Sequence, residues 1–139
     1  MSDYHQKKIP VVLITYNRPE HTLRLLQSLR LYNVQNIYIY SDAPKDNSQI
    51  DAVNRTRRII ESIDWTTPKL IYRDFNHGLA KSIITAVNEV FLEYDKLILL
   101  EDDCIPRRYF FDFISSILHK YKDDPRIFGV SGYSIPIPD

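Results

Sequence analysis

Three adjacent carboxylates, Glu101-Asp102-Asp103, directly follow the apolar run Leu97-Ile98-Leu99-Leu100. Like charges at this spacing repel, and leaving them at the end of an apolar strand costs stability unless a cation or hydrogen-bond donors compensate. Carboxylate oxygens suit Mg²⁺ or Mn²⁺, which typically bind one or two protein carboxylates together with substrate phosphates. The alternative is a solvated acidic loop that also starts the next helix, where the helix dipole favours negative charge.

Polar side chains also follow the other predicted strands. Thr15-Tyr16-Asn17-Arg18 ends the first strand, Ser41-Asp42 the second and Arg73-Asp74 the third. Strand ends become exposed loops in most proteins, so polar residues at any one of them carry little information alone. The chain has only three glycines, and none follows the first strand. The sequence therefore contains neither a dinucleotide fingerprint nor a phosphate-binding loop, both of which need glycines at that turn.

Strands and helices alternate along the chain. The second predicted helix, from Ile50 to Ile63, is interrupted by Arg57 and Arg58, whereas the third, through Tyr94, is cleanly amphipathic. The predicted strands are Ile9–Ile14, Asn36–Tyr40, Leu70–Tyr72, Lys96–Leu100 and Ile127–Ser131.

Two helix starts are marked by prolines. Asn17 is the expected cap of a first helix that runs from Pro19 to about Leu31. Pro106 is the expected start of the last helix. That helix has an apolar stripe that leaves only Tyr109 and Phe111 to face elsewhere; the stripe is formed by Phe110, Phe113, Ile114, Ile117, Leu118 and Tyr121.

This order of elements predicts an α/β fold. We expect one domain over residues 1–139, with a mainly parallel, Rossmann-like open sheet of about five strands and helices on both faces. Ligands of such sheets bind beyond the carboxyl ends of the strands. Pro136 and Pro138 make regular structure after the fifth strand unexpected.

Composition excludes several classes of partner. Eighteen basic side chains balance eighteen acidic ones, so no global field favours nucleic acid. The single cysteine, Cys104, forms no internal disulfide, and residues 1–8 do not resemble a secretory signal. No apolar run reaches the ~20 residues of a transmembrane span. We expect a cytoplasmic protein, with peripheral membrane attachment left open.

Four segments together resemble glycosyltransferases of the GT-A fold, over nearly the whole chain. The similarity is to the family 2 enzymes and, in the acidic segment with its following aromatic helix, to N-acetylglucosaminyltransferase I. The segments are Pro10–Arg18, Asp42 after the second strand, Asn76–Ala80 and Glu101–Asp103. The resemblance implies metal-dependent transfer of a sugar from a nucleoside-diphosphate sugar, most simply a UDP-sugar, to an unidentified carbohydrate or glycan acceptor.

The resemblance also implies roles for residues on the donor side. The residues that it assigns to the base and ribose pocket are Thr15, Tyr16, Asn17 and Arg18. Asp42 would accept a hydrogen bond from a ring N–H of the nucleobase. Asp102 would lie near the ribose, and Asp103 would bind Mn²⁺ or Mg²⁺ with Glu101 in a supporting place. Arg73 is expected near the diphosphate, in an ion pair with Asp74 or in a surface role.

The acceptor side is not recognisable in this sequence. Family members place the acceptor pocket and the catalytic base after the fifth strand, so the resemblance implies that the base lies beyond Asp139. We expect either a piece of a longer enzyme or a naturally short relative that transfers poorly alone. Two alternatives stay open: a non-catalytic nucleotide-binding or interaction module on a degenerate GT-A fold and, with less support, a sugar nucleotidyltransferase.

Overall fold

The computed structural model describes residues 9–133. Four parallel strands form one sheet: β1 (Val11–Thr15), β2 (Ile37–Ser41), β3 (Lys69–Tyr72) and β4 (Ile98–Glu101). Four helices connect or follow them: α1 (Pro19–Leu31), α2 (Ile50–Glu61), α3 (Leu79–Val90) and α4 (Phe110–Lys120), with a short 3₁₀ turn at Asn47–Gln49. The predicted α/β class with a parallel sheet is confirmed for this part of the chain.

Each strand has side chains on both faces of the sheet, and helices cover both faces. Alternate residues of β1, such as Val11 and Leu13, pack with α1, α2 and α4 on one face. The intervening Val12 and Ile14 pack with Ala86 and Val90 of α3 on the other. Both sets are buried, which explains why these strands are continuously apolar rather than alternating.

The order of strands in the sheet is β3-β2-β1-β4. The chain therefore proceeds outward from β1 to β3 and then returns to the other side of β1 for β4. In open parallel sheets, the strand order reverses at a crevice beyond the carboxyl ends of the two strands concerned, and ligands bind there. In this chain the crevice lies between the ends of β1 and β4.

The predicted fifth strand is wrong. Residues 127–131 form no strand and pair with no other strand of the described chain, and the sheet has four strands rather than five. Ile127 donates its N–H to Asp124 O in a turn, and Phe128 is fully exposed. Gly132 lies so close to the Phe110 ring that a Cβ there would be 2.4 Å from it. The segment thus packs against the start of α4 instead of alongside β4. Pro136, Pro138 and Asp139 lie outside the described residues.

The first predicted helix is confirmed at Pro19–Leu31, but its expected cap and the expected start of the last helix need correction. The last helix begins at Phe110 rather than Pro106. The N-cap residue of α1 is Arg18, without a side-chain cap, whereas Asn17 donates its Nδ2 hydrogen to Gln49 Oε1 instead. Among the helices described, none is long and apolar enough to cross a membrane.

Candidate functional site

The ends of β1 and β4 meet at the crevice where the strand order reverses. Ile14 is paired with Glu101 in the sheet, so the residues that follow these two strands are neighbours in space. Arg18 and the acidic triplet are contributed from opposite sides of the crevice, and they contact each other. We call Arg18, Asp102 and Asp103 the rim cluster. Sequence position at strand ends predicted that these three residues meet, and they do.

Both aspartates of the rim cluster converge on one positively charged nitrogen. Arg18 Nη1 lies 3.4 Å from Asp102 Oδ1 and 3.1 Å from Asp103 Oδ2. The Asp102 side chain is only 10% exposed, whereas those of Arg18 and Asp103 are about half exposed. Glu101, at the end of β4, is partly buried. The guanidinium supplies part of the positive charge that three adjacent carboxylates need.

Burial dominates the electrostatics of Asp102. It raises the pKa of that carboxyl above the ordinary value of 3.8, because water no longer solvates the charged form. Arg18 opposes the rise, whereas the negative charges of Asp103 and Glu101 add to it. An added cation would stabilise the charged form of this carboxylate in the same way as Arg18 does.

The rim cluster fits a hard cation in donor type and in number. Mg²⁺ and Mn²⁺ usually bind one or two protein carboxylates together with substrate oxygens. In the rim cluster, one oxygen from each of two carboxylates already faces the same positively charged nitrogen of Arg18. Within residues 9–133 no group of three or more His, Cys, Asp or Glu side chains is arranged to hold a metal alone. A metal at Asp103 therefore stays a prediction, and it would need ligand oxygens from elsewhere.

The segment after β1 is divided between the core and the crevice. Thr15 is buried and donates its hydroxyl hydrogen to Tyr40 O at 3.1 Å, which ties β1 to β2. Tyr16 and Asn17 are partly buried, and both donate to Gln49 Oε1. The Tyr16 hydroxyl also accepts from Lys45 N at 3.0 Å. Of the four residues predicted to line the pocket, Thr15 thus has a structural contact, Tyr16 and Asn17 contact Gln49, and Arg18 contacts the acidic triplet. Their part in binding a ligand stays a prediction.

Gln49 is a site residue that sequence reasoning missed. It lies in the 3₁₀ turn before α2 and accepts hydrogen bonds from two residues of the β1 loop more than thirty positions earlier. The polar stretch that contains it looked like an ordinary loop. Its only signal was the Asp46-Asn47-Ser48 turn sequence, in which Asp46 Oδ1 accepts from Ser48 N.

Asp42 has a structural position. Its carboxylate is buried and accepts hydrogen bonds from four donors, which join the end of β2 to the start of α3. The donors are Ala43 N at 2.9 Å, His77 N at 2.9 Å, Gly78 N at 3.0 Å and Ser82 Oγ at 3.2 Å. Gly78 has φ of +74°, a conformation that suits glycine. A nucleobase N–H could reach Asp42 only in competition with these donors.

Arg73 lies away from the rim cluster. Its guanidinium donates to Glu89 Oε1 at 2.9 Å and to Thr85 Oγ1 at 3.3 Å, and it stacks over the Tyr40 ring. Both polar partners belong to α3. Of the places expected for Arg73, the ion pair with Asp74 is not observed, since Arg73 pairs with Glu89 instead. A place near the diphosphate stays a prediction.

A second basic residue, Arg57, contacts the ends of two strands near Arg73. Arg57 of α2 donates to the carbonyl oxygens of Ser41, Asp42 and Arg73 at 3.2 to 3.4 Å, and its guanidinium lies over the Tyr72 ring. These carbonyls belong to the last residue of β2 and to the residues that directly follow β2 and β3. Arg57 thus ties the ends of β2 and β3 together, a role that its interruption of the helix pattern did not reveal.

An open groove of about 1100 Å³ runs along the outer edge of β4, between α3 and α4. Phe91, Phe113 and Phe128 line it and are exposed, and Asp103 lies at one end. Ile98 N donates to Pro10 O on the β1 side, so the backbone groups of Leu99 point toward the groove. The groove therefore combines apolar side chains with a strand edge that pairs with no other strand among residues 9–133.

Comparisons with protein-family models, curated proteins and solved structures found no significant match to this chain.

Proposed function

We propose that this chain is the donor-binding portion of a metal-dependent glycosyltransferase that uses a nucleoside-diphosphate sugar, most simply a UDP-sugar. The observation that carries the proposal is the convergence of Asp102 and Asp103 on one cationic group at the strand-order reversal. The resemblance of four strand-end segments to the GT-A enzymes supplies the substrate class. Mn²⁺ or Mg²⁺ is the proposed cofactor.

The proposed site consists of an acidic pair, a wall of polar side chains and a bound cation. Asp103 is the more exposed carboxylate and holds the cation, while the buried Asp102 adds negative charge behind it and reaches toward the ribose. Tyr16 and Asn17, which both donate to Gln49 Oε1, form with it the wall for the base and ribose. The cation, when bound, supplies positive charge that stabilises the leaving diphosphate as the glycosidic bond breaks.

The surroundings of the crevice favour binding of an anion together with a cation. In the absence of a glycine-rich loop, the negative charge of a diphosphate must be neutralised by a metal ion and by side chains. Arg18 is the basic side chain already at the rim cluster. Transfer itself also needs an acceptor hydroxyl and a base to take its proton, and we propose that a part of the enzyme outside residues 9–133 supplies both.

Calorimetry with UDP in the presence of Mn²⁺ tests the proposal. We expect wild type to bind, and we expect Asp103→Ala to lose about tenfold or more in UDP affinity, because even outer partners of a metal typically cost ~10–100-fold. Asp123→Ala is the matched control, since this aspartate is 86% exposed and lies after α4. Absence of UDP binding by wild type, or equal binding by Asp103→Ala, would contradict the proposal.

The groove beside β4 favours a second candidate, a non-catalytic interaction module on the same fold. An exposed apolar groove beside a strand edge that is unpaired within residues 9–133 is typical of surfaces that bind another polypeptide. This candidate predicts no Mn²⁺-dependent nucleotide binding. The same calorimetry therefore separates the two functions.

A further inference from the structure

Arg18 supplies the positive charge of the rim cluster. Its Nη1 lies within 3.4 Å of an oxygen from each aspartate. A divalent ion of the proposed kind binds carboxylate oxygens at about 2.0–2.6 Å. An ion bound to these same two oxygens would stand within a few ångströms of the guanidinium, and two positive charges at that distance repel. Arg18 in its observed position therefore competes with a cation for these two oxygens.

Arg18 is built to leave this position without disturbing the fold. Its backbone carbonyl accepts from Thr22 N at 3.0 Å, as the residue that begins α1. Its side chain is 53% exposed and extends over the surface. Rotation about the side-chain bonds alone moves the guanidinium away, while the backbone and α1 stay in place.

A nucleoside diphosphate gives the displaced guanidinium a new partner. Arginine pairs with phosphate through two parallel hydrogen bonds, a geometry that is at least as favourable as its single contacts with Asp102 and Asp103. The diphosphate also brings oxygen ligands for the cation to the same place. Nucleotide and metal therefore help each other to bind, because the nucleotide removes the competitor of the metal.

We propose that Arg18 is a displaceable guard of the acidic pair: it blocks metal without nucleotide and pairs with the diphosphate when both bind. The inference rests on the proposed function and adds the regulation of its site. It implies a coupling between metal and nucleotide that passes through one side chain.

The proposal makes predictions of opposite sign for Arg18→Ala. Without nucleotide, we expect this variant to bind Mn²⁺ roughly three- to tenfold more tightly than wild type, because a competing ion pair has been removed. At saturating Mn²⁺, we expect it to bind UDP about tenfold or more weakly, because a charge-assisted contact with phosphate is lost. Titration calorimetry measures the UDP affinity, and the fraction of free Mn²⁺ seen by electron paramagnetic resonance measures the metal affinity.

Two further variants make the test specific. Arg24→Ala removes an exposed arginine from the same helix, and we expect it to leave both affinities unchanged. Arg18→Lys keeps the charge but not the bidentate geometry, so we expect it to exclude Mn²⁺ as wild type does while still weakening UDP binding.

The outcomes also separate this proposal from the proposed function. Arg18→Ala with no gain in Mn²⁺ affinity, while wild type binds UDP with Mn²⁺, overturns the guard and leaves the donor site standing. Failure of both wild type and Arg18→Ala to bind UDP at saturating Mn²⁺ overturns the proposed function and the guard with it.

Discussion

A single carboxylate, Asp42, joins the end of β2 to the first residues before α3. It was predicted at this position as a ligand for a nucleobase. In the structure its oxygens accept hydrogen bonds from three backbone N–H groups and from the Ser82 hydroxyl, and a contact with a nucleobase stays a prediction. The residue type follows from either role, since a carboxylate accepts from a ring N–H as readily as from a peptide N–H. Sequence position alone could not decide between these donors.

Replacing Asp42 with Asn directly tests its structural role. The Asn side chain keeps the shape but turns an NH₂ group toward peptide N–H donors, so we expect the free energy of unfolding to fall by about 1–3 kcal/mol. Urea denaturation measures the change. Asp46→Asn is the matched control, because Asp46 caps only an exposed three-residue turn and should cost at most about 1 kcal/mol. An equal loss of unfolding free energy in the two variants would contradict the structural role of Asp42.

The candidate site, which includes the rim cluster and the loop after β1, was predicted in part from sequence. Positions at strand ends brought Arg18, Asp102 and Asp103 together correctly, because parallel strands end at a common edge. The contacts of Tyr16 and Asn17 with Gln49 were beyond reach, since they depend on where the loop after β2 folds back. Strand ends can be read from a sequence, whereas the path of a loop over them is set by packing.

At the scale of elements, the last helix shows how an apolar pattern misleads. The predicted stripe placed Phe113 in the core and Phe111 outside it, and the structure reverses the two. Phe111 is 3% exposed and Phe113 is 48% exposed. The buried face includes the polar Ser115, while an aromatic residue lies at its margin. Residue type and burial disagree at these positions. The buried face predicted from the apolar residues is therefore broader than the observed one and is rotated about the helix axis.

This reversal predicts unequal effects of two similar substitutions. We expect Phe111→Ala to lower the free energy of unfolding by about 3–5 kcal/mol, because it leaves a cavity between α4 and the sheet. Phe113→Ala removes a half-exposed ring of the same size and should cost about 1 kcal/mol or less. Urea denaturation of both variants compares them directly. A larger loss for Phe113→Ala would restore the predicted helix face.

At the scale of the whole molecule, the four strands of the sheet were predicted but the segment after the last helix was not. Four of the five predicted strands exist, with bounds that differ by at most two residues. β1 and β2 are buried on both faces, and strands of that kind need the continuous apolar runs that the sequence shows. The fifth run, from Ile127 to Ser131, has the composition of a strand but no ladder partner in the described chain. A strand exists only where a neighbour accepts its hydrogen bonds, and composition does not report the neighbour.

Phe128 tests this assignment at the scale of the molecule. It is fully exposed, so we expect Phe128→Ser to change the free energy of unfolding by less than about 0.5 kcal/mol. A fifth strand packed into the sheet would make the same substitution cost several times more. Val130, which packs partly on the core, provides the comparison, because Val130→Ser should be clearly destabilising. Urea denaturation of the purified variants distinguishes the two structures.

The central place of β1 also determines how the molecule folds. Val11 pairs with Ile37 and with Ile98, which are 26 and 87 positions later in the chain. Closing the longer loop costs more conformational entropy, and contacts between distant residues form slowly. The crevice between β1 and β4 therefore depends on the slowest pairing in the sheet. A nascent chain would acquire its rim cluster only after β4 has been made and docked, so we expect the proposed nucleotide binding to appear only when the fold is complete.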